Sequence, residues 1–452
     1  MTNGQHATRW TALLSEQRVP RANASAAQSA TDDPRTPFQT AYDRIVFSTA
    51  FRRLARKTQV HPLAENDHVH NRLTHSIEVA SVGRSLGSHL ARFLIDRGDM
   101  PPERTDDLLW IMSAACLCHD IGNPPFGHAG ENALRDWAQR PPELAFGTPL
   151  DENRPATESV DDFLLFEGNA QGYRLASWYD NNRYGYLRLT YATLGAMVKY
   201  PWISSHPDAK AKGKHNVYST ERDIFDAMNR ELGRFVEPVL GRRHPMSLLT
   251  EAADDICYRV LDLEDAGELG IIHESEIHDL FSNALGLDEE DAARASARPI
   301  SERRSRVMSA LIPATWSVFE NDYEAIMAGE RTTDLASDLP EPLKEFMNAV
   351  DALYKARIFS ERSKVASELG AHKALGRIAG SLCEACRELT AGSSYKSCGF
   401  RARRCLELAW GLAFITENER QPYDWWLHQT MDYLSSLTDN YARQLSREIE
   451  GT

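Results

Sequence analysis

Two histidines and two acidic residues lie within one short stretch of the chain, CHDIGNPPFGHAGE, residues 118–131. His119 and Asp120 come first, and His128 and Glu131 follow after a turn that contains two prolines. A loop that only connects helices does not need these four side chains together, whereas a loop that surrounds a metal ion does. Imidazole nitrogens with carboxylate oxygens suit borderline to hard divalent ions. The stretch therefore predicts a metal site.

Two helical patterns carry histidines at their ends. His75 begins an apolar face that recurs at steps of three or four residues as far as Phe93. His119 ends a second such face, and Gly122 breaks that helix soon afterwards. A single histidine on an apolar face is usually a hydrogen-bonded core residue. Two of them, one followed by an aspartate whose burial costs several kcal/mol unless its charge is paired, favour a shared cation.

A third helical pattern, EAADDICYRVLDLEDA at residues 251–266, carries more polar side chains. Asp254, Tyr258 and Asp262 stand four residues apart on a face next to an apolar stripe. Few segments alternate as strands do, so the chain is predicted to be all-α.

Composition limits the classes of protein to which the chain can belong. The net charge of −14 over 452 residues disfavours a protein that coats nucleic acid. We find no apolar run long enough to cross a membrane and no signal peptide, and so expect a cytoplasmic protein without membrane contact. Cys383 and Cys386 form a CxxC, which we interpret as buried helical cysteines, with a zinc site as the alternative.

Seven motifs in this order resemble those of the deoxyguanosinetriphosphate triphosphohydrolase (dGTPase) family of dNTP triphosphohydrolases, in the HD superfamily. They are DRIVFSTAFRRLARKTQV, NRLTHSIEVA, CHDIGNPPFGHAGE, FEGNAQG, MVKYP, EAADDICYRVLDLEDA and LTDNYA. The resemblance implies an HD-domain helical core with additional helical regions. Apart from the resemblance, residues 20–37 are rich in Ala, Ser, Asp and Pro, which predicts a mobile segment, and a polar stretch with several prolines predicts a loop near 140–159. We therefore expect a mobile N-terminal segment (1–37), a core with the metal and nucleotide site (38–275), and a C-terminal helical region (276–452) that packs on the core and contributes to subunit contacts.

The resemblance also assigns the groups that would perform the chemistry. The implied metal ligands are His75, His119, Asp120 and Asp254. In the family, the ligand aspartate is followed by a tyrosine four residues later and by a second aspartate four residues after that. Only Asp254, followed by Tyr258 and Asp262, fits this spacing, so Asp254 is preferred to Asp255. His128 and Glu131 are the implied catalytic pair, in which Glu131 would fix the tautomer of the imidazole. Alternatively, Glu131 is an acid that faces a helix N-terminus.

The implied reaction is hydrolysis of a dNTP at the α-phosphorus, which releases a deoxynucleoside and triphosphate. The implied substrate-binding residues are Gln59, Arg72, Asn169, Lys199, Tyr200, Tyr258 and Asp262. Arg72, Lys199 and Tyr200 would contact the phosphates, although Tyr200 could instead simply pack before Pro201. Tyr258 would leave no room for a 2′-hydroxyl, while Asp262 and Gln59 would bind the 3′-hydroxyl.

The cofactor and partners follow from the same resemblance. We expect Mn²⁺ or Mg²⁺, with Fe, Co, Ni or Zn as alternatives. A homo-oligomer is implied, with a hexamer among the family's assemblies, and an effector that is a dNTP or single-stranded DNA remains open. Two alternative functions are an HD-type nucleotidase or phosphodiesterase for another nucleotide, and a nucleotide- or DNA-responsive regulator with vestigial catalysis. The intact ligand positions disfavour the regulator.

Overall fold

The computed structural model describes residues 3–19, 33–59, 69–140, 158–178, 187–358 and 362–451. It confirms a nearly all-α protein. The helices of the first half are α1 (Asn3–Leu13), α2 (Pro37–Val46), α3 (Thr49–Arg53), α4 (Arg72–Asp96), α5 (Thr105–Cys118), α6 (His128–Ala138), α7 (Glu158–Leu164), α8 (Gly168–Ser177), α9 (Tyr191–Met197), α10 (Pro207–Lys212) and α11 (Arg222–Glu231). Two short strands, β1 (Phe235–Glu237) and β2 (Leu240–Gly241), pair antiparallel.

The second half continues in the same way. Its helices are α12 (Pro245–Glu268), α13 (Glu274–Ala284), α14 (Glu289–Ser296), α15 (Ile300–Asn321), α16 (Tyr323–Ala328), α17 (Glu341–Leu353), α18 (Arg362–Gly392), α19 (Phe400–Trp410), α20 (Leu412–Asn418), α21 (Tyr423–Ser436) and α22 (Asp439–Glu450). Single 3₁₀ or π turns lie at Leu54–Arg56, Pro102–Arg104, Ser219–Glu221, Ala336–Asp338, Tyr354–Ile358 and Tyr395–Ser397. In the described ranges, the helices are all too short or too polar to cross a membrane.

The close packing of α4 on α5 brings the two histidine-bearing helix ends together. A Cβ at Gly83 of α4 would lie 2.3 Å from Cys116 Sγ of α5, and one at Gly87 would lie 3.0 Å from Met112 Cγ. Later residues of α4 thus face earlier residues of α5, so the two helices run antiparallel. The start of α4 therefore meets the end of α5, and α12 packs across both helices.

The N-terminal segment is partly a packed helix. Trp10 of α1 is only 1% exposed, and its indole Nε1 donates to Tyr323 Oη at 2.7 Å. Residues 20–32 of the segment predicted to be mobile lie outside the described residues, as do residues 141–157 of a loop predicted near 140–159. The three-part division of the chain stays a prediction.

The long helix α18 packs on α6 and on the last two helices, α21 and α22. Cys383 and Cys386 lie in α18, and both are buried with free thiols. They are therefore core cysteines, as the sequence indicated.

Candidate active site

Three of the four predicted metal ligands converge. His75 Nε2 lies 2.9 Å from Asp254 Oδ1, and His119 Nε2 lies 3.4 Å from the same oxygen. One potential ligand atom from each residue lies within 4.8 Å of the other two. Two imidazole nitrogens and a carboxylate oxygen form a donor set that fits Mn²⁺, Mg²⁺ or another first-row divalent ion.

The electrostatics of this cluster also fit a cation. His119 donates through Nδ1 to the Cys116 carbonyl oxygen at 2.7 Å, which turns Nε2 towards Asp254. Burial opposes a charge on His119, but the Asp120 and Asp254 carboxylates outweigh it and raise its pKa to about 9. Carboxylates that favour a proton at this place favour a divalent cation for the same reason.

Asp120, the fourth predicted ligand, lies beside the cluster but is engaged elsewhere. Its Oδ2 accepts a 2.6 Å ion-paired hydrogen bond from Arg72, and its Oδ1 accepts one from the Asn123 amide. The Oδ1 atom is 3.6 Å from His119 Nε2. Burial would raise the pKa of Asp120, yet the charges of Arg72 and His119 hold it below its usual value. Its role as a ligand stays a prediction.

The loop after α5 returns the chain to the same place. Phe126 and Gly127 both have positive φ, 65° and 57°, and α6 starts at the next residue, His128. A Cβ at Gly127 would lie 2.4 Å from an Arg72 guanidinium nitrogen, so this backbone conformation and close approach require glycine. The turn thus brings the second His–acid pair to the cavity that the first pair lines.

His128 and Glu131 form a hydrogen-bonded pair one helical turn apart. His128 Nδ1 lies 2.8 Å from Glu131 Oε2, and the Gly168 backbone N–H donates to Glu131 Oε1 at 2.8 Å. The His128 side chain is 79% exposed, whereas that of Glu131 is 3% exposed. Burial would raise the pKa of Glu131, but His128 and the nearby cations outweigh it and lower the pKa to about 2.

Lys214 is a charged group of the site that sequence reasoning missed. Its Nζ lies 2.9 Å from Glu167 Oε2 and 3.5 Å from Glu131 Oε2. Glu167 also accepts from Arg135 at 2.8 Å. No spacing pattern connects Lys214 with the acids, because the contact depends on how α8 and the segment before α11 pack.

One cavity of about 290 Å³ brings most of the predicted site residues together. It is lined by His119, Asp120, Asp254, His128, Glu131 and Lys214, together with Gln59, Arg72, Asn169, Lys199, Tyr200 and Tyr258. A second cavity of about 550 Å³ shares four of these residues and extends to α18, where Lys364 and Glu368 line it. The adjoining cavities give room for a ligand larger than the phosphates alone.

Two predicted substrate residues have distinctive surroundings. Lys199 Nζ pairs with Glu251 at 2.9 Å, and Glu251 also pairs with Arg243 at 2.7 Å. Asp262 does not line the first cavity and is fully buried, and its two carboxylate oxygens have no hydrogen-bond partner among the described residues. Burial and the neighbouring Asp265 raise the pKa of Asp262 well above its usual value, so the structure favours a neutral carboxyl group there.

The chain is similar to known proteins along almost its whole length. The model of the HD domain family matches residues 72–161. A "Deoxyguanosinetriphosphate triphosphohydrolase-like protein" of Pseudomonas aeruginosa PAO1 is 38% identical over 98% of this chain and 98% of its own. A protein of the same name from Synechocystis is 32% identical over 81% and 84%. The "Deoxyguanosinetriphosphate triphosphohydrolase" of Salmonella schwarzengrund is 36% identical over 50% and 48%.

Proposed function

Because this chain belongs to the dGTPase family of the HD superfamily, we propose that it is a metal-dependent dNTP triphosphohydrolase. It would hydrolyse a dNTP to the deoxynucleoside and intact triphosphate. The observation that carries the proposal is the convergence of His75, His119 and Asp254 beside the His128–Glu131 pair. A protein that only bound a cation would need the three ligands, but it would not need a histidine paired with an acid beside them.

His75, His119 and Asp254 would hold Mn²⁺ or Mg²⁺, with Asp120 as the fourth ligand. When bound, the ion polarises a phosphate oxygen and lowers the pKa of a water molecule. Asp120 would then bind both the ion and Arg72, and its hydrogen bond with Arg72 would hold the guanidinium beside the phosphates.

The His128–Glu131 pair would move the proton. Glu131 accepts from Nδ1–H, so the Nε2 lone pair of His128 is directed away from it and towards the solvent-accessible cavity. Water would add to the α-phosphorus as the bond to the 5′-oxygen breaks, and Nε2 would take a proton of the water. The departing 5′-oxygen would take a proton from solvent, so that the deoxynucleoside leaves as an alcohol, and the imidazolium would then return its proton to solvent. The buried carboxylate of Glu131, with its low pKa, stabilises the resulting imidazolium.

The other cavity residues would bind and orient the nucleotide. Arg72, Lys199 and Tyr200 would contact the phosphates, with Asn169 beside them. Tyr258 packs edge-on against Tyr354, with ring centroids 5.2 Å apart, and a ring fixed in this way would exclude a 2′-hydroxyl. The unpartnered carboxyl group of Asp262, with Gln59, would bind the 3′-hydroxyl and so satisfy a buried polar group.

Product analysis tests this function. The purified protein is incubated with Mn²⁺ or Mg²⁺ and each of the four dNTPs or GTP, and the products are separated by anion exchange. We expect deoxynucleoside plus triphosphate from at least one dNTP, and neither product from GTP. His128→Ala and Asp254→Ala should abolish turnover, whereas the matched Asp255→Ala should retain most of it. Monophosphate or diphosphate products, or no turnover with any dNTP, would refute the proposal.

A further inference from the structure

Asp439 is a buried acid that the proposed mechanism does not use. It is the first residue of α22, belongs to the LTDNYA motif and is 2% exposed. The side chain of Thr438 already caps this helix by accepting from the Tyr441 N–H, so α22 does not need the Asp439 carboxylate as its cap. The carboxylate therefore has another role.

The two oxygens of Asp439 bind two segments that are distant in sequence. Its Oδ1 accepts from the Phe126 backbone N–H at 2.9 Å. Its Oδ2 accepts from both the backbone N–H and the hydroxyl of Thr58, at 2.9 and 2.5 Å. Phe126 lies two residues before His128, and Thr58 lies next to Gln59. One carboxylate thus holds two segments that line the second cavity.

Lys57 makes a second connection between the C-terminal helices and the same loop. Its Nζ is buried and donates to the Asn123 carbonyl oxygen at 2.5 Å and to the Ser435 carbonyl oxygen at 2.6 Å. Ser435 lies in the last turn of α21, just before α22. The loop is therefore held at residues 123 and 126, on both sides of its two prolines.

The backbone at Phe126 needs such support. Its φ of 65° is in the left-handed region, which is uncommon and unfavourable for a bulky residue. A hydrogen bond from the Phe126 N–H to a charged acceptor is stronger than one to a neutral acceptor and stabilises this conformation. The same residues also fix α4, since the Arg72 N–H donates to the Lys57 carbonyl oxygen at 3.2 Å.

We propose that Asp439 is a positioning residue, which fixes the backbone at Phe126 and Thr58 and thereby places His128 at the reacting phosphate and Gln59 at the 3′-hydroxyl. Its effect on turnover rests on the proposed function, whereas its effect on the loop does not. Loss of the carboxylate would free the loop to leave the left-handed conformation, and a displacement of about 1 Å is enough to slow a positioned reaction by about 100-fold.

The test uses the full-length protein with Asp439→Asn and a matched control, Asp107→Asn. Asp107 is likewise a buried acid in the first turn of a helix, α5, where it pairs with Arg104 at 2.7 Å. Amide hydrogen exchange is measured on peptides that contain Phe126 and Thr58. Mn²⁺ affinity, kcat and KM for the dNTP that is hydrolysed fastest are measured on the same samples. Lys57→Met provides a second variant in case Asp439→Asn does not fold.

For Asp439→Asn we expect exchange at Phe126 to be faster by about tenfold or more, because an asparagine amide cannot accept from both segments. We expect kcat of Asp439→Asn to fall by about 10- to 100-fold with little change in Mn²⁺ affinity. In Asp107→Asn, both the loop exchange rate and kcat should stay within about threefold of the wild-type values. Unchanged loop exchange in both Asp439→Asn and Lys57→Met, or equal effects of Asp439→Asn and Asp107→Asn, would overturn the inference. If the wild-type protein hydrolyses no dNTP, the proposed function fails, and the exchange measurement alone decides the role of Asp439.

Discussion

Replacement of Glu131 by glutamine tests how the proton acceptor is held. Glu131 Oε1 accepts from the Gly168 N–H and Oε2 accepts from His128 Nδ1, both at 2.8 Å. The amide of Glu131→Gln keeps its oxygen towards Gly168 and so presents its NH₂ group to His128. The imidazole must then carry its proton on Nε2, and that nitrogen can no longer accept one from water.

The expected loss is the contribution of general base catalysis. Such catalysis contributes about 10²- to 10⁴-fold, so kcat of Glu131→Gln should fall by that factor, equivalent to about 3–5 kcal/mol in the barrier. The free energy of unfolding should change by only about 1–2 kcal/mol, because the hydrogen bond to Gly168 remains and Lys214 keeps Glu167 as its partner.

Steady-state kinetics and urea unfolding measure the two effects separately. Glu221→Gln is the matched control, because Glu221 is a fully buried carboxylate whose partners Arg174, Thr220 and Trp178 do not line the cavity. The control should lose stability but keep its kcat. A kcat for Glu131→Gln within threefold of wild type, in folded protein, would refute the tautomer argument.

Three further predictions concern the cation, pH and packing. Asp254→Asn should weaken Mn²⁺ binding in calorimetry by about tenfold or more. The matched Asp255→Asn should leave Mn²⁺ binding unchanged, because the Asp255 carboxylate pairs with Arg259 outside the cluster. Hydrogen bonds that the His70 imidazole donates to the Asp265 and Glu78 carboxylates raise its pKa from 6.5 to about 10. The resulting stabilisation, on the order of 2–5 kcal/mol, is full below pH 6.5 and lost as the pH rises through about 10, and His70→Gln should flatten this part of the pH–stability curve. Gly168→Ala places a Cβ 2.7 Å from Glu131 Oε1, so thermal unfolding should show a loss of about 1–3 kcal/mol together with lower activity. Wild-type values for Asp254→Asn, His70→Gln or Gly168→Ala would contradict the corresponding contact.

The helices of the site were predictable because they carry their own signals. His75 and His119 stand at the ends of apolar faces, and the structure places them at the first turn of α4 and just after α5. The four-residue spacing of Asp254 and Tyr258 likewise required only a regular helix, and α12 supplies it.

Contacts between distant segments were not predictable. The engagement of Asp120 by Arg72, the approach of Lys214 to Glu131 and the buried carboxylate of Asp439 all depend on tertiary packing. The helix α1 was missed for a similar reason. Eleven residues of weak pattern form a stable helix only when Trp10 packs into the core.

Hydrolysis in H₂¹⁸O, with mass spectrometry of both products, tests the central claim most directly. Water that adds to the α-phosphorus leaves its oxygen on that atom. The account therefore predicts triphosphate with one ¹⁸O atom and an unlabelled deoxynucleoside. Label in the deoxynucleoside would mean attack at the 5′-carbon, and labelled phosphate or pyrophosphate would mean attack at the γ- or β-phosphorus. Either result would contradict the assignment of the reacting atom to the α-phosphorus beside His128.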